Sequence, residues 1–429
     1  MNSSASPTVA VDRAFPTLHP RPQQGWLNDP NGICYRDGRW HVFFQHNPDS
    51  ARHAAITWGH VSSPDLLRWE EEPVALRPQP GGPDALGCWS GVMADENGVP
   101  TAVYSGVQDA SGHAQVTLAR GSADLRTWQQ DGEVAAGIPA DQSITDVRDP
   151  FVFRWNGARY AIQGAGLEDG RGALLLYDAT ELSAWTYLGI WLTTEHPAAA
   201  AAQANIWECP QLVEVDGRWV LIVSLWKRRN GEHHLSGVAH LIGSMHDDGD
   251  GRPVYEPETC AATDGGPDYY APQAVPVGDR VMLWGWSWES RAEEEADAAG
   301  WAGVLTFPRE LGVVDGELVV KPARELVGYR RSARVAGAVT ELPAVAEAVV
   351  SPRGDARVSL ALVSPSGSRE LYSVETARGV RVLLDASIVE VYREGSTAVT
   401  FRAYPVQDEK WELTVTGSAV VEAWELGLP

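Results

Sequence analysis

Three carboxylates stand out for the residues around them. Asp29 lies in Trp26-Leu27-Asn28-Asp29-Pro30-Asn31-Gly32, Asp149 in Arg148-Asp149-Pro150, and Glu208 in Trp207-Glu208-Cys209-Pro210. Each is wedged among aromatic, proline or cysteine residues instead of sitting in a solvated charge run, which marks buried acids. Brought together by a fold, such acids can serve as nucleophile, proton donor and charge stabiliser, the set that cleavage of a glycosidic bond requires. Glu208 follows Asp149 by about 60 residues and Asp149 follows Asp29 by about 120.

That spacing belongs to a longer period. Turn signals of Asp/Asn-Gly type stand at Asp37-Gly38, Asn97-Gly98, Asn156-Gly157 and Asp216-Gly217, with a Gly278-Asp279 variant, at intervals of about 60 residues. A second mark, an acid and Leu followed by Trp, runs from Asp65 to Trp69, Asp124 to Trp128 and Glu181 to Trp185 with nearly the same period. Each period holds short alternating strands joined by hairpin turns, as in Arg39-Trp40-His41-Val42-Phe43-Phe44. Four strands of roughly six residues plus turns make one propeller blade. The five turn marks therefore predict an all-β chain with a five-bladed β-propeller over residues 25–308.

One polar candidate precedes each turn mark by a similar interval: Asp29, Ser90, Asp149, Glu208 and Asp268. The innermost strands of a propeller line its axis, so all five are expected to converge there. After Phe307-Pro308-Arg309-Glu310-Leu311 the period stops. Strands such as Val382-Leu383-Leu384-Asp385-Ala386-Ser387-Ile388-Val389-Glu390-Val391-Tyr392 then predict a C-terminal β-sandwich over 316–429. Residues 1–24 are read as an N-terminal extension.

Composition is globular, 44% hydrophobic and 21% charged, and the 18 Trp exceed the 12 Tyr and 7 Phe. That excess fits both hairpin-rich β structure and sugar-stacking surfaces. The net charge of -23, from 34 basic and 57 acidic residues, opposes nucleic acid, anionic membranes and polyanions and points to a neutral substrate. Met1–Ala10 shows neither the basic start nor the apolar run of a secretory signal, and no stretch matches a membrane span. Cys34, Cys88, Cys209 and Cys260 lack metal-ligand spacing, so a reduced cytoplasmic protein is expected. His233-His234 is adjacent in sequence without a matching acid cluster, and a loop or surface role is expected. No phosphate-cradling Gly loop or Gly-x-Ser-x-Gly elbow is present, and neither metal nor cofactor is predicted.

With Phe44-Gln45-His46-Asn47-Pro48, Trp58-Gly59-His60, Trp89-Ser90-Gly91, Glu208-Cys209-Pro210 and Asp268-Tyr269-Tyr270-Ala271 in the same order, the chain resembles the β-fructofuranosidases of glycoside hydrolase family 32: invertases, levanases and inulinases. The resemblance implies a propeller with a sandwich and hydrolysis with retention. It makes Asp29 the nucleophile, Glu208 the acid/base and Asp149 the stabiliser of an oxocarbenium-like transition state. It also implies Asn28, Gln45, Ser90 and Asp268 as hydroxyl partners, with Trp89 and Trp286 as apolar walls. Physical reading gives a similar division. An apolar setting beside other carboxylates would keep Glu208 protonated near neutrality, hydrogen bonds would keep Asp29 ionised, and Arg148 would hold Asp149 charged and bind a sugar hydroxyl. Bland alternatives stand beside these: Gln45 could satisfy backbone groups, Ser90 alone is a weak signal, and Trp286 could be core.

Three departures bear on substrate. His53-Ala54 stands where many family members have Trp-Gly, Gln211 follows Cys209-Pro210 where Asp is frequent, and the sandwich is shortened between about residues 335 and 380. The expected substrate is a small neutral fructoside, sucrose or a short fructo-oligosaccharide. Exo-hydrolysis of levan or inulin and fructosyl transfer are the related alternatives. A non-catalytic carbohydrate-binding propeller is the alternative of another class. Lys227, Arg228 and Arg229 are candidates to hold a phosphate of sucrose 6-phosphate, against their reading as a solvated turn. Oligomeric state is left open.

Overall fold

The computed structural model describes residues 12–111, 113–406 and 408–429. Residues 1–11, including the segment read for a secretory signal, lie outside the described residues. Among the described residues the chain is mostly strand, with one short α-helix at Glu293–Ala299 and 3-10 turns at Pro197–Ala202 and Arg324–Tyr329. No described helix is long and apolar enough to cross a membrane.

Five strands organise the larger part: Gly25–Arg36, Gly87–Glu96, Ile144–Trp155, Ile206–Val215 and Tyr270–Val277. Each turns back through a two-residue loop into an antiparallel partner. Four of these loops are the Asp/Asn-Gly marks, with positive φ at both residues, as a type I′ turn requires. The five strands pack against one another in a closed ring, the last against the first. Around them lie sheets of five, five, eight and five strands; the eight-stranded one joins the third and fourth repeats through a single Gly166–Ile206 pairing. Trp301-Ala302 adds to the first sheet in parallel beside Gly25-Trp26, so a late segment closes the earliest sheet.

The second repeating mark is a turn with its own chemistry. Leu66, Leu125 and Leu182 are buried, and Leu66 and Leu125 adopt positive φ. The indole N–H of Trp128 donates to the Leu125 carbonyl at 3.0 Å and that of Trp185 to Leu182 at 2.8 Å. Leucine anchors the turn in the core while tryptophan closes it.

Past residue 308 the chain stays in strand pairing with the ring. Arg309–Val314 pairs with Arg280–Ser287 and with Glu317–Pro322, so this hairpin extends the last sheet of the ring. Its Asp315-Gly316 turn has the same positive φ pair as the earlier marks. A separate sheet begins at Arg330 and contains two long strands, Val345–Ser364 and Lys410–Leu426. It has its own core, including Val350, Leu360, Leu384, Val391, Trp411 and Leu413.

Buried charges join the two parts. Arg309 donates to Glu390 at 2.6 Å and to Asp264 at 2.9 Å. His19 bonds Asp385 at 2.8 Å and Glu390 at 2.9 Å, while the backbone N–H groups of Thr17 and Leu18 also donate to Asp385. Residues 12–24 of the expected extension thus include a strap docked on the C-terminal sheet. Removing the guanidinium would leave Glu390 and Asp264 buried without it. Arg309→Met is expected to cost about 3–5 kcal/mol, read as a lowered urea midpoint; an unchanged midpoint would contradict this account of the junction.

Candidate active site

At the same point in all five inner strands the ladder slips. The irregularities fall between Leu27 and Pro30, Cys88 and Gly91, Arg148 and Pro150, Glu208 and Gln211, and Tyr270 and Gln273. A bulge re-aims the side chains beside it, and here it does so at each sequence motif. Asp149 and Cys209 hold left-handed backbone, with φ of 59° and 47°. Chain-distant acids are thereby turned toward one cavity.

The cavity has a volume of about 490 Å³, within the range that encloses a small ligand. Asn28, Asp29, Gln45, Trp89, Arg148, Asp149, Glu208 and Trp286 line it. Ser90 lies beneath, donating to Asp29 Oδ2 at 2.6 Å. Gln45 Nε2 donates to the same oxygen at 3.0 Å, and the Cys209 thiol lies 3.5 Å from it. Asp29 Oδ1 accepts from Asn28 Nδ2 at 3.1 Å, and Asn28 is itself held by the Trp26 indole N–H at 2.8 Å. One oxygen of Asp29 is therefore saturated while the other is less encumbered.

Asp149 Oδ2 accepts from the Cys209 backbone N–H at 3.0 Å, and the Cys209 sulfur touches this oxygen as well as Asp29 Oδ2. Burial and the two aspartates push that thiol well above its usual range, so it packs as a neutral group. Glu208 is half-buried. Its Oε1 accepts from Arg148 Nε at 2.8 Å and its Oε2 from the Tyr270 hydroxyl at 2.6 Å. The charge of Arg148 also acts on Asp149, where it opposes the rise of that carboxyl.

Burial raises the Asp29 carboxyl to about 6; the Ser90 hydrogen bond opposes this, and the charge of Glu208 adds to it. Asp149 is also raised, first by burial and then by Glu208, with Arg148 opposing. Side-chain donors thus only partly offset burial at Asp29, so its ionisation is harder than the sequence reading assumed. Among the described residues no group of three His, Cys, Asp or Glu side chains is arranged to hold a metal ion.

Asp268 is not brought to this cavity. Its Oδ1 accepts from the Trp288 indole at 2.9 Å and from Ser290 at 2.8 Å, and its Oδ2 from the Arg402 backbone N–H at 2.7 Å. Oδ1 is spent on the segment just after Arg280–Ser287 and Oδ2 on the C-terminal sheet. The physical reason is phase: Asp268 precedes the inner strand, whereas Tyr270 lies eight residues before Gly278, as Asp29 lies before Asp37 and Glu208 before Asp216. Tyr270 fills the position at the cavity. That offset, with the aromatic doublet, was the available signal.

Sequence reasoning gave no site role to Trp26, Trp226 and Leu235, which line the cavity together with His53 and His233. His53, in place of the family's frequent Trp, lies edge-on to Trp26 and Trp89, with ring centroids 6.0 Å away in each case. His233 is exposed near the end of its hairpin, as expected, and it also lines the cavity. The tryptophans divide between two uses: Trp58, Trp207, Trp284 and Trp301 are wholly buried core, while Trp26, Trp89, Trp226 and Trp286 face the cavity.

The model of the Glycosyl hydrolases family 32 N-terminal domain matches residues 19–322. A sucrose-6-phosphate hydrolase of Zymomonas mobilis is 32% identical over 346 residues, 76% of this chain and 65% of that protein. The chain therefore spans just under two thirds of that relative's length. A sucrose-6-phosphate hydrolase of Klebsiella pneumoniae is 31% identical over 93% of this chain and 90% of its own. Among solved structures, the Bombyx mori GH32 beta-fructofuranosidase superposes with a TM-score of 0.81 at 25% identity, covering 96% of this chain and 94% of that one. A family match over most of the chain and a shared fold lead to one assignment: this chain belongs to glycosyl hydrolase family 32.

Proposed function

We propose that this protein is a retaining β-fructofuranosidase that removes terminal β-D-fructofuranosyl units from sucrose or short fructo-oligosaccharides. The observation carrying this reading is the meeting of Asp29, Asp149 and Glu208 on three inner strands around one cavity. The architecture proposed with it is a five-bladed propeller over about residues 25–322, a linking segment, and a C-terminal sandwich from about residue 330. Support comes from the closed ring of inner strands and from the strand pairings at the junction.

In this mechanism Asp29 attacks the anomeric carbon through Oδ1, because Oδ2 is held by Ser90 and Gln45. Glu208 gives its proton to the departing oxygen, and the glycosidic C–O bond breaks as the fructosyl–Asp29 ester forms. Glu208 then takes a proton from water, which attacks the same carbon and releases fructose and Asp29. Asp149 keeps one oxygen on the Cys209 N–H and turns the other to fructosyl hydroxyls. Asn28, Gln45 and Ser90 set the nucleophile, Arg148 orients Glu208, and Trp89 and Trp286 wall the ring. Asp268 is assigned to docking the C-terminal sheet. A reducing, cytoplasmic setting is proposed as well, supported by four free cysteines, one of them packed between two site carboxylates.

Ser90→Ala removes a short donor to Asp29. The nucleophile's pKa should rise further, moving the acidic limb of kcat/KM to higher pH by up to about one unit. A limb that stays in place would argue against Asp29 as the group titrating there.

A second reading, sucrose 6-phosphate as substrate, is favoured by Arg228, whose guanidinium lies over the cavity-lining Trp226 at 5.7 Å. Fructose and glucose release from sucrose, sucrose 6-phosphate, inulin and levan decides among these. Equal release from sucrose means hydrolysis, glucose in excess means fructosyl transfer, and no fructose from any of them sinks the enzyme reading in favour of a binding scaffold.

A further inference from the structure

The two walls of the cavity differ in what they border. Trp26 and Trp89 come from the strands that carry Asp29 and Ser90, and Trp286 lies edge-on to Trp26 at 5.9 Å. The opposite wall grows from the strand beside Glu208. There Glu208 pairs with Ser224 and Ile206 with Trp226, so Trp226 sits two residues along the ladder from the partner of Glu208. Trp226 in turn pairs with Leu235 and Arg228 with His233. The His233 ring meets the Trp226 indole edge-on at 4.1 Å. Indole, leucine and imidazole thus form a continuous face at the mouth.

This face is braced. Asn205 donates its backbone N–H to the Trp226 carbonyl at 2.9 Å, and its side chain accepts from Arg228 N–H at 2.7 Å and donates to the Gly170 carbonyl at 2.9 Å. Ser224 is tied to the next inner strand by accepting from the Ala271 N–H at 3.1 Å. At its outer end Leu235 is 38% exposed. A rigid apolar surface at the rim of a polar, acid-lined cavity is suited to a sugar ring, whose C–H face stacks on indole while its hydroxyls stay wet.

The reaction supplies the direction. A nucleophile and a proton donor act on opposite sides of the scissile bond, so the group that leaves departs on the side of Glu208. We infer that Trp226, with Leu235 and His233 beside it, is the platform on which the leaving-group sugar stacks, and that this wall sets the enzyme's preference among leaving groups. This inference rests on the reading of Glu208 as the proton donor.

The test compares sucrose, whose leaving group is a hexose ring, with methyl β-D-fructofuranoside, whose leaving group has no ring. Wild type, Trp226→Ala and Trp226→Phe are assayed on both. Trp226→Ala is expected to lower kcat/KM for sucrose by roughly tenfold or more, the scale of one lost stacking partner, while the value for the methyl glycoside stays within about twofold. Trp226→Phe should recover most of the loss. An equal loss on both substrates would overturn the inference, since it would mean that Trp226 only positions Glu208, and so would unchanged sucrose turnover. Should Trp226→Ala fail to fold, the two-substrate ratio in Trp226→Phe and in Leu235→Ala gives the same decision. Wild type inert toward both glycosides would remove the parent reading as well, whereas an active wild type with non-discriminating variants removes this inference alone.

Discussion

Asp29→Asn is expected to lower kcat for fructose release by roughly 10⁴- to 10⁶-fold, the scale seen when a nucleophile is removed from an otherwise intact site. The amide is nearly isosteric, and Ser90, Gln45 and Asn28 remain around it. The lesion is therefore chemical. The same variant should be more stable than wild type at neutral pH. Burial raises Asp29 to about 6, so its charged form is disfavoured in the folded state. Above that pH the aspartate costs folding energy, on the order of 3 kcal/mol; below its unfolded value near 4 both states are protonated and the cost vanishes. The gain from Asn should be full at pH 7 and fade as pH falls from about 6 toward 4. Chemical denaturation of both proteins across that range checks it. A variant less stable at pH 7 would show that the charge is better solvated than the burial of this carboxyl implies.

Glu208→Gln is the second large effect, about 10²- to 10⁴-fold on sucrose, as removal of general acid assistance predicts. The loss should depend on the leaving group. A fructoside whose leaving group departs without a proton should lose far less in its first step than sucrose, because Gln cannot donate where Glu208 does. Equal losses on good and poor leaving groups would shift the proton donor elsewhere in the cavity. Arg148 and Tyr270 both bond Glu208, so their conservative variants offer a graded version of the same test.

The period of about 60 residues was legible because type I′ turns admit few residues: Asp37-Gly38, Asn97-Gly98, Asn156-Gly157 and Asp216-Gly217 all need positive φ twice over. The acids were legible because buried carboxylates beside Pro and Cys are uncommon. What stayed hidden depended on direction more than identity. Arg148 acts on its neighbour Asp149 by charge, but that its guanidinium also bonds Glu208, 60 residues away, follows from the register shift between Arg148 and Pro150 and not from sequence. Asp268 has the residue type of a sugar ligand, but it lies ahead of the fifth bulge and binds Trp288, Ser290 and the Arg402 backbone instead. The hairpin Arg309–Val314 and Glu317–Pro322 carries Val and Leu like the later sandwich strands, and only its pairing with Arg280–Ser287 assigns it to the ring. Trp226 and His233 could not be placed from periodicity, since what brings them to the mouth is the reach of one long hairpin.

The claim at the centre of this account is a covalent fructosyl ester on Asp29. The most direct measurement quenches Glu208→Gln during turnover of a fructoside with an activated leaving group and maps the modified peptide by mass spectrometry. The account predicts one anhydrofructosyl unit on the peptide containing Asp29, with initial product of retained β configuration. An unmodified Asp29 peptide together with product of inverted configuration would contradict it, and would leave water, not Asp29, as the attacking group.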